Sequence, residues 1–290
     1  MKLAILGPLQ RGYNELRIME EAKKVFDSVS YFPIPQLVIC VNGETYDVRY
    51  KQKSILDYDA ILPRVPRSYK TFGTNILHIL KEAGKPLPIE PFSIIASHNK
   101  FLTLVYLVRN GIPVPETHLA LKRSTLEEVL EEMEYPVVLK LLYGSHGAGV
   151  MFADSKPSAL SIIDALERFK EPIFVEEYIE SKGQDIRAYV VGGKVFASMK
   201  RIAREGERRS NIGMGGKGVA YTLSEKEKKL AEKAAKALGM KICGIDIMRS
   251  PRGPVVIETN VNAEFKGLEE ATGKNVARAI VNYVREIAER

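Results

Sequence analysis

Short apolar runs alternate with longer amphipathic stretches along the whole chain, a pattern typical of a protein that contains both strands and helices. In the first 95 residues, apolar runs at 3–6 and 60–62 predict buried strands. Residues 14–26 and 74–83 have the helical spacing of apolar positions, and Gly84 and Pro86 would end the second helix. We therefore expect a small α/β unit in residues 1–95.

Residues 96–182 repeat this pattern after a proline-containing linker at 88–93. Ser124 and Glu127, three residues apart, predict a capping box at the start of one helix in this unit. We expect three strands and three helices, with strands at 137–142, 150–152 and 173–177 and helices at 97–109, 125–134 and 157–169. These elements would form a second α/β unit.

Residues 183–290 predict a third unit. Two strand-like segments, 185–191 and 194–200, flank Gly192-Gly193, which is a strong hairpin signal. Ser224 and Glu227 predict a capping box for a helix over 224–238, which Gly239 would end. Two further strands and a closing amphipathic helix are expected at 243–248, 255–259 and 275–288.

The composition is that of a globular protein, with 45% hydrophobic and 27% charged residues. No run of about 18 apolar residues is present, so no membrane helix and no membrane partner are expected, and we predict a cytoplasmic protein. Cys40 and Cys243 are far apart and the four histidines are scattered, which argues against a zinc or redox motif. The net charge of +7 fits either nucleic acid or an anionic substrate such as ATP.

Two carboxylates interrupt the last two predicted strands. Asp246 lies in Gly-Ile-Asp-Ile-Met and Glu258 in Val-Val-Ile-Glu-Thr-Asn, where burial is costly unless the charge is paired. If the intervening turn is centred on Arg252, the two residues oppose each other across an antiparallel ladder, about 5 Å apart. They would then repel each other unless a cation lay between them. Asn260 would lie on the same face of the sheet.

Three oxygen-bearing side chains without His or Cys favour Mg²⁺ or Mn²⁺, and Mg²⁺ commonly shares its coordination shell with substrate phosphates. The alternative is that Asp246 faces solvent on a half-exposed strand. The register is inferred from the turn alone, and a slip of one residue would separate the two carboxylates.

Three further segments suit a nucleotide. Lys140 ends a buried strand and is followed by a GxxGxG run at 144–149, which matches neither a Walker A loop nor GxGxxG. Its backbone N–H groups could close over phosphates, or the run could be only a flexible hairpin. Residues 175–179 cross between two units and could bind a ring edge through backbone groups, or could simply be solvated.

The loop over 201–218 is rich in arginine and glycine, as expected of a lid that closes on anions. A nucleic-acid arm is the competing interpretation. However, Glu205 and Glu207 dilute the positive charge, and no aromatic residues are interleaved for base stacking. No Ser–His or Cys–His arrangement predicts a covalent nucleophile.

The order of these motifs resembles that of the ATP-grasp superfamily, and within it the RimK-like amino-acid ligases, over most of residues 96–290. The motifs that carry the resemblance are Glu177-Tyr178-Ile179 with Gly183-Gln184-Asp185-Ile186-Arg187, then Arg209-Ser210-Asn211, then Gly244-Ile245-Asp246 with Gly253-Pro254 and Glu258-Thr259-Asn260. The resemblance implies an α/β fold (α+β in the ATP-grasp part). A Rossmann-like pre-ATP-grasp domain would span 1–95, and two units at 96–182 and 183–290 would clasp ATP between antiparallel sheets.

The resemblance also implies roles for individual side chains. The residues implied to bind ATP are Lys100, Lys140, Glu177, Tyr178, Ile179, Asp185, Arg209, Ser210 and Asn211. Asp246, Glu258 and Asn260 would hold two Mg²⁺ or Mn²⁺ ions, as the strand pattern also predicts. Arg187, Arg201 and Asn262 would contact substrate, and Arg209 and Arg201 would stabilise the transferring phosphoryl group.

The implied activity is ATP- and Mg²⁺-dependent carboxylate–amine ligation, in which glutamate or a similar amino acid is added through an acyl phosphate. The acceptor carboxylate would belong to a protein C-terminus, a carrier protein or a coenzyme, and a homo-oligomer is expected. A non-catalytic ATP-binding regulatory module is the alternative, and a nucleic-acid binder is a further one.

One segment departs from the pattern of ribosomal-protein-modifying members, which tend toward Ala-Ser-Pro-Gly after the metal asparagine. Here the chain reads Val261-Asn262-Ala263-Glu264-Phe265-Lys266-Gly267. The Glu-Phe-Lys portion is closer to LysX-type ligases, which attach 2-aminoadipate or glutamate to a carrier protein. Archaeal relatives that glutamylate a deazaflavin or pterin coenzyme are also compatible with it.

Overall fold

The computed structural model describes residues 1–141, 149–168, 170–204 and 216–290. Over these ranges the chain forms four β-sheets and nine α-helices. No helix within them is long and apolar enough to cross a membrane. The mixed α/β fold expected from the sequence is confirmed.

The N-terminal part contains a parallel sheet with strand order β2-β1-β6 and a small antiparallel sheet with order β3-β4-β5. The strands are β1 (Lys2–Gly7), β2 (Ser28–Pro33), β3 (Val38–Val41), β4 (Tyr46–Tyr50), β5 (Lys53–Ser54) and β6 (Ala60–Pro63), and the helices are α1 (Tyr13–Ala22) and α2 (Lys70–Glu82). The apolar runs correctly predicted β1 and β6, which are the most buried of these strands. They did not predict β2 to β5, which are largely half-exposed and lack a continuous apolar run.

The predicted linker at 88–93 is partly wrong, because Pro91 begins a helix, α3 (Pro91–Ser97). Proline is well suited to the first helical turn, where its missing N–H has no intrahelical partner to lose. The next helix, α4 (Lys100–Arg109), starts after Asn99, whose side chain accepts a 3.0 Å hydrogen bond from the Leu102 N–H. The single helix predicted over 97–109 is therefore divided by this cap.

The central sheet is antiparallel, with strand order β7-β10-β8-β9. Its strands are β7 (Thr117–Ala120), β8 (Val137–Leu141), β9 (Val150–Ala153) and β10 (Ile173–Glu177), and its helices are α5 (Arg123–Glu132) and α6 (Lys156–Glu167). Val137, Leu139, Ile173 and Val175 pack in one core with apolar residues of both helices. The opposite face carries Lys140 and Glu176, since side chains alternate along a strand.

The predicted capping box at Ser124 is wrong. Helix α5 begins at Arg123 after Lys122, without a side-chain cap, so that Ser124 lies inside the helix. Glu127 instead accepts a 2.8 Å hydrogen bond from Arg123 Nε. The capping box at Ser224 is confirmed, because Ser224 and Glu227 bond each other's backbone N–H groups at the start of α7 (Glu225–Ala237).

The C-terminal sheet is antiparallel, with strand order β13-β12-β11-β14-β15. Its strands are β11 (Gln184–Val191), β12 (Lys194–Ile202), β13 (Lys217–Ala220), β14 (Ile242–Ser250) and β15 (Gly253–Asn260), and the remaining helices are α8 (Lys266–Thr272) and α9 (Val276–Ala288). Helix α7 packs on one face of this sheet. Helix α9 shares a core with Tyr189 of the other face and with Leu62 of β6, so it joins the C-terminal sheet to the parallel sheet.

A β-bulge sets the register of the β14–β15 hairpin. Ser250 pairs with Gly253 across a two-residue turn, so the hairpin is centred between Pro251 and Arg252 rather than on Arg252. A straight ladder from that turn would place Ile257 opposite Asp246. Ile257 is instead the extra residue of a bulge, and Asp246 pairs with Glu258. The predicted pairing is therefore confirmed, although the predicted turn centre is wrong.

Gly244 allows the segment after β15 to approach the sheet closely. A Cβ built on Gly244 would lie 2.7 Å from the Cβ of Ala263 and 3.5 Å from Arg187 Nε. Real Cβ atoms do not approach each other to 2.7 Å, so even alanine would displace the segment at Ala263, whereas 3.5 Å from Arg187 is an ordinary contact. A glycine is therefore needed two positions before Asp246.

We predict that Gly244→Ala lowers the free energy of unfolding by about 1–3 kcal/mol, the usual cost of overpacking a filled core. Urea denaturation followed by far-UV circular dichroism measures it. Adding Ala263→Gly should restore part of the loss, because it removes the atom that the new methyl group would meet. A Gly244→Ala protein as stable as wild type would contradict this interpretation.

Candidate active site

Charged side chains of the central and C-terminal sheets meet where α4 begins. Lys100, the first residue of α4, donates a 2.6 Å hydrogen bond to Glu258 Oε1 on β15. Lys140 on β8 pairs with Glu176 on β10, and its ammonium lies 5.7 Å from the ring centroid of Phe174. Burial alone would raise the pKa of Glu258, but the nearby Lys100 and the more distant Lys140 lower it overall. Two of the predicted ATP-binding lysines thus lie close to a predicted metal ligand.

A buried network of two carboxylates and two guanidinium groups lies beside Glu258. Asp246 accepts hydrogen bonds of 2.7 Å from both Nε and Nη2 of Arg187, and Arg201 Nη2 lies 2.8 Å from its second oxygen. Arg201 also pairs with both oxygens of Asp185, with Nε at 2.7 Å. Burial opposes ionisation of Asp246, but the two guanidinium groups outweigh it and lower its pKa to about 2.

The strand register explains this network. Arg187 on β11 is the ladder partner of Asp246 on β14, and Asp185 is the partner of Arg201 on β12. All four side chains therefore project from one face of the sheet. Within it, Asp185 has an ion-pair partner rather than a free carboxylate, and both arginines predicted to hold substrate are already bonded to carboxylates. Their substrate and catalytic roles stay predictions.

The three predicted metal ligands share that same sheet face. Asp246 opposes Glu258, and Asn260 opposes Gly244, with Asn260 Nδ2 at 3.4 Å from Asp246 Oδ2. The side chain of Glu258 is 34% exposed, whereas that of Asp246 is only 2% exposed. Glu258 is therefore the more accessible carboxylate of the pair.

These residues fit a Mg²⁺ or Mn²⁺ ion by donor type, since they offer carboxylate and amide oxygens. In the described ranges no three His, Cys, Asp or Glu side chains cluster closely enough to hold an ion, so the amide of Asn260 would complete the set. The protein's own cations, Arg187, Arg201 and Lys100, already neutralise Asp246 and Glu258. Protein cations therefore offset part of the repulsion that the sequence predicted for this pair, and the metal assignment stays a prediction.

The predicted adenine hinge follows β10 directly. The Glu177 N–H donates to the Glu116 carbonyl at 2.9 Å, and Glu177 Oε1 accepts from the Glu116 N–H at 2.9 Å. The same carboxylate pairs with Arg252 in the turn of the β14–β15 hairpin. Ile179 is buried, and the Tyr178 ring packs edge-on against Phe152 with centroids 5.9 Å apart. The hinge is thus tied directly to the hairpin that carries Asp246 and Glu258.

The remaining predicted site residues lie partly outside the described ranges, and one buried carboxylate near the site was not predicted. Arg209, Ser210, Asn211 and most of the GxxGxG run lie outside the described residues. Asn262 donates from Nδ2 to the Val65 carbonyl of the N-terminal part. Glu176 was missed, although strand alternation could have placed it beside Phe174 on the face that carries Lys140. Its Oε2 is buried without a hydrogen-bond partner among the described residues.

Comparison with known families matches nearly the whole chain. A RimK pre-ATP-grasp domain model matches residues 1–94, and a RimK-like ATP-grasp domain model matches residues 97–284. The chain belongs to the RimK-like ATP-grasp family. It is therefore an ATP-dependent carboxylate–amine ligase, as the motifs implied.

Similar proteins of this family have nearly the same length. A "Probable alpha-L-glutamate ligase" of Aliivibrio fischeri (strain MJ11) is 37% identical over 99% of this chain and 96% of its own. A "Probable alpha-L-glutamate ligase 2" of Pseudoalteromonas atlantica is 38% identical over 98% of this chain and 95% of its own.

Solved structures of ATP-grasp proteins share the fold of this RimK-like chain. The ATP-grasp ligase PsnB, complexed with minimal precursor, Mg and ADP, superposes with a TM-score of 0.78 at 17% identity, covering 99% of this chain and 97% of that one. A RimK domain protein from Sphaerobacter thermophilus DSM 20745 gives a TM-score of 0.73 at 20% identity, covering 98% and 99%. The predicted ATP-grasp fold is confirmed.

We predict that Asp246→Asn destabilises this RimK-like ligase by about 3–5 kcal/mol, because it leaves two buried guanidinium groups without their shared counter-charge. Glu258→Gln is the matched control. It changes a neighbouring, partly exposed carboxylate in the same way and should cost under about 1 kcal/mol. Urea denaturation of both variants measures the difference, and equal losses would show that the network is not specifically stabilising.

Proposed function

We propose that this ligase adds glutamate, or a similar amino acid, to the carboxylate of an acceptor through an acyl-phosphate intermediate. The observation that carries the proposal is the contact between Lys100 and Glu258, which joins the start of α4 to the hairpin that carries the predicted metal ligands. Curated relatives named probable alpha-L-glutamate ligases, at 36–38% identity, support glutamate as the amino acid.

The first step transfers the γ-phosphoryl group. An acceptor carboxylate oxygen attacks the γ-phosphorus of ATP, the bond to the β–γ bridging oxygen breaks, and ADP leaves with that electron pair. In the second step the neutral amine attacks the acyl carbon, and the bond to the phosphate oxygen breaks. Phosphate leaves with the electron pair, and the nitrogen loses a proton as the amide forms. The protein supplies position and positive charge rather than a covalent nucleophile.

The side chains of the site fit these steps. Lys100 and Lys140 are paired with Glu258 and Glu176, so the phosphates of ATP would take over part of that pairing. The backbone at Glu177, Tyr178 and Ile179 would bind the adenine edge, with Asp185 near the ribose. Arg209, Ser210 and Asn211 keep their predicted role at the phosphates.

Two Mg²⁺ or Mn²⁺ ions, held by Asp246, Glu258 and Asn260, would neutralise the β- and γ-phosphate oxygens. To bind an ion, Glu258 would give up part of its pairing with Lys100, and Asp246 would give up part of its pairing with the two arginines.

The proposed activity is tested with the purified protein, Mg²⁺·ATP, a panel of amino acids and three acceptor classes: a peptide C-terminus, a carrier protein and a carboxylate-bearing coenzyme. We expect ADP release that requires both an amino acid and an acceptor, and an acceptor mass increase of one amino-acid residue. ATP binding without any amino-acid-dependent ADP release would instead favour the regulatory module. Salt-sensitive oligonucleotide binding that ATP does not compete with would favour a nucleic-acid binder.

We predict that Glu258→Gln lowers kcat by at least about 100-fold, because the transferring phosphoryl group loses several kcal/mol of charge stabilisation. Coupled-enzyme detection of ADP under saturating Mg²⁺·ATP measures it. Glu286→Gln on α9 should leave kcat unchanged, because it removes an exposed carboxylate whose one ion pair within the described residues is with Arg290. Near-normal turnover of Glu258→Gln would rule out Glu258 as a metal ligand.

A further inference from the structure

Unpartnered polar atoms are concentrated where the N-terminal part meets the C-terminal sheet. In the described ranges five buried side-chain nitrogen or oxygen atoms have no hydrogen-bond partner. Three of them, Arg64 Nε, His98 Nε2 and Asn262 Oδ1, belong to this junction. Burying a polar atom without a partner is costly, so such atoms in one place indicate that a ligand completes their bonding.

Contacts between residues 64–65 and residues 262–263 connect Arg64 with Asn262. Arg64 directly follows β6, and its neighbour Val65 accepts a hydrogen bond from Asn262 Nδ2. The hydroxyl of Tyr189 lies 3.4 Å from the carbonyl of Ala263, the residue after Asn262. Burial raises the pKa of Tyr189 to about 12, partly offset by the charge and a hydrogen bond of Arg64, so that guanidinium lies beside the same phenol. Arg64 and Asn262 are therefore connected through Val65 and through Tyr189.

His98 lies against the backbone of Val65. Burial lowers its pKa to about 4, partly offset by a hydrogen bond to the backbone of Val65. Arg67 approaches the His98 carbonyl, with Nη2 at 3.4 Å. The imidazole is therefore neutral near pH 7 and lies against the Val65 backbone that Asn262 also contacts.

Arg64 is bonded much more weakly than the other two buried arginines. It is only 4% exposed, yet its sole ion-pair contact among the described residues is Glu15 Oε1, at 3.5 Å from Nε. Glu15 is already engaged through Oε2 with the Gly12 N–H at the start of α1. Arg187 and Arg201, in contrast, each bond both oxygens of a carboxylate. A buried guanidinium without a comparable partner is suited to bind an anionic group of a ligand.

The position of Arg64 supports this assignment. It lies at the carboxyl end of β6, with its N–H bonded to the carbonyl of Leu6 at 2.7 Å on the neighbouring parallel strand. Ligands of open parallel sheets bind beyond the carboxyl ends of the strands. The residues that face Arg64 across this edge directly follow Asn260, at the proposed phosphate end of the site.

We propose that Arg64 binds the α-carboxylate of the amino-acid co-substrate, while Asn262 Oδ1 accepts a hydrogen bond from its amino group and His98 contacts the same ligand. The proposal rests on the proposed ligase activity. A zwitterionic amino acid matches the chemistry, since it pairs an anion for the guanidinium with an N–H donor for the amide oxygen. Asn262 is two residues from Asn260 and contacts the residue after Arg64, so the amine would lie nearer the acyl phosphate and the carboxylate farther from it.

The test compares the amino acid that supports turnover with its own α-amide, for example glutamate with isoglutamine. Wild type should strongly prefer the amino acid. In Arg64→Met the KM for the amino acid should rise between tenfold and about 100-fold, the range for a lost charge-assisted hydrogen bond. The KM for ATP should not change, and the preference over the α-amide should largely disappear because the amide never used the guanidinium charge.

Arg17→Met is the matched control. Arg17 also joins the N-terminal part to the C-terminal part, through Glu269 at 3.6 Å, but its ion pairs within the described residues are with carboxylates of α1 and α8 and with none of the residues of this site. Arg17→Met should leave the KM for the amino acid, the KM for ATP and the preference over the α-amide unchanged. If Arg64→Met retains both the KM for the amino acid and the discrimination against the α-amide, the proposal is wrong.

A second measurement tests the proposal if Arg64→Met folds poorly or if the protein has no ligase activity. Isothermal titration of the amino acid into wild type and Asn262→Ala, both with Mg²⁺·ADP, should show weaker binding in the variant, because alanine cannot accept a hydrogen bond from the amino group. The α-amide has the same amino group and should lose affinity to a similar degree. Amino-acid binding without any turnover would overturn the proposed function alone, whereas turnover with unchanged binding to Asn262→Ala would overturn only the Arg64 site.

Discussion

The buried pairing of Asp246 with Arg187 and Arg201 is the interaction on which the rest of the site depends. Ionised groups are stable in a protein interior only when well-oriented counter-charges surround them. Here that orientation comes from the ladder, which places Arg187 directly opposite Asp246. The bulge at Ile257 then brings Glu258 to the same face, and the absence of a side chain at Gly244 lets the segment at Ala263 pack closely against the strand that carries Asp246. Register, bulge and packing therefore all serve one electrostatic arrangement.

The candidate active site extends from this arrangement toward the central sheet. Lys100 links α4 to Glu258, and Arg252 links the hairpin turn to Glu177 at the predicted hinge. These contacts connect the places where the phosphates and the adenine are proposed to lie. The Lys100–Glu258 pair differs from the Asp246 network because both of its side chains are partly exposed, and in the proposed function the phosphates of ATP take over part of this pairing.

The buried arginines illustrate how structural and ligand-binding charges differ within one domain junction. Arg187 and Arg201 have their hydrogen-bonding capacity largely met by carboxylates of the same sheet. Arg64 is equally inaccessible, but its only ion-pair contact among the described residues is the long one to Glu15. A guanidinium that the protein itself does not satisfy is pre-organised for an external anion, and its desolvation strengthens that interaction. The N-terminal domain would thus contribute directly to amino-acid selection.

Local pattern in the sequence determined much of the fold and part of the site. Apolar periodicity predicted most strands and helices of the two ATP-grasp units, and the hairpin pattern correctly paired Asp246 with Glu258. Local pattern did not predict the half-exposed strands β2 to β5, the bulge at Ile257 or the position of Arg64. It also did not predict that arginines of two other strands pair with Asp246, or that Lys100 pairs with Glu258. Those arginines are more than 40 residues from Asp246 along the chain. Periodicity reports which face a side chain occupies but not which distant strand lies beside it, so only the tertiary structure decided the partners of these charges.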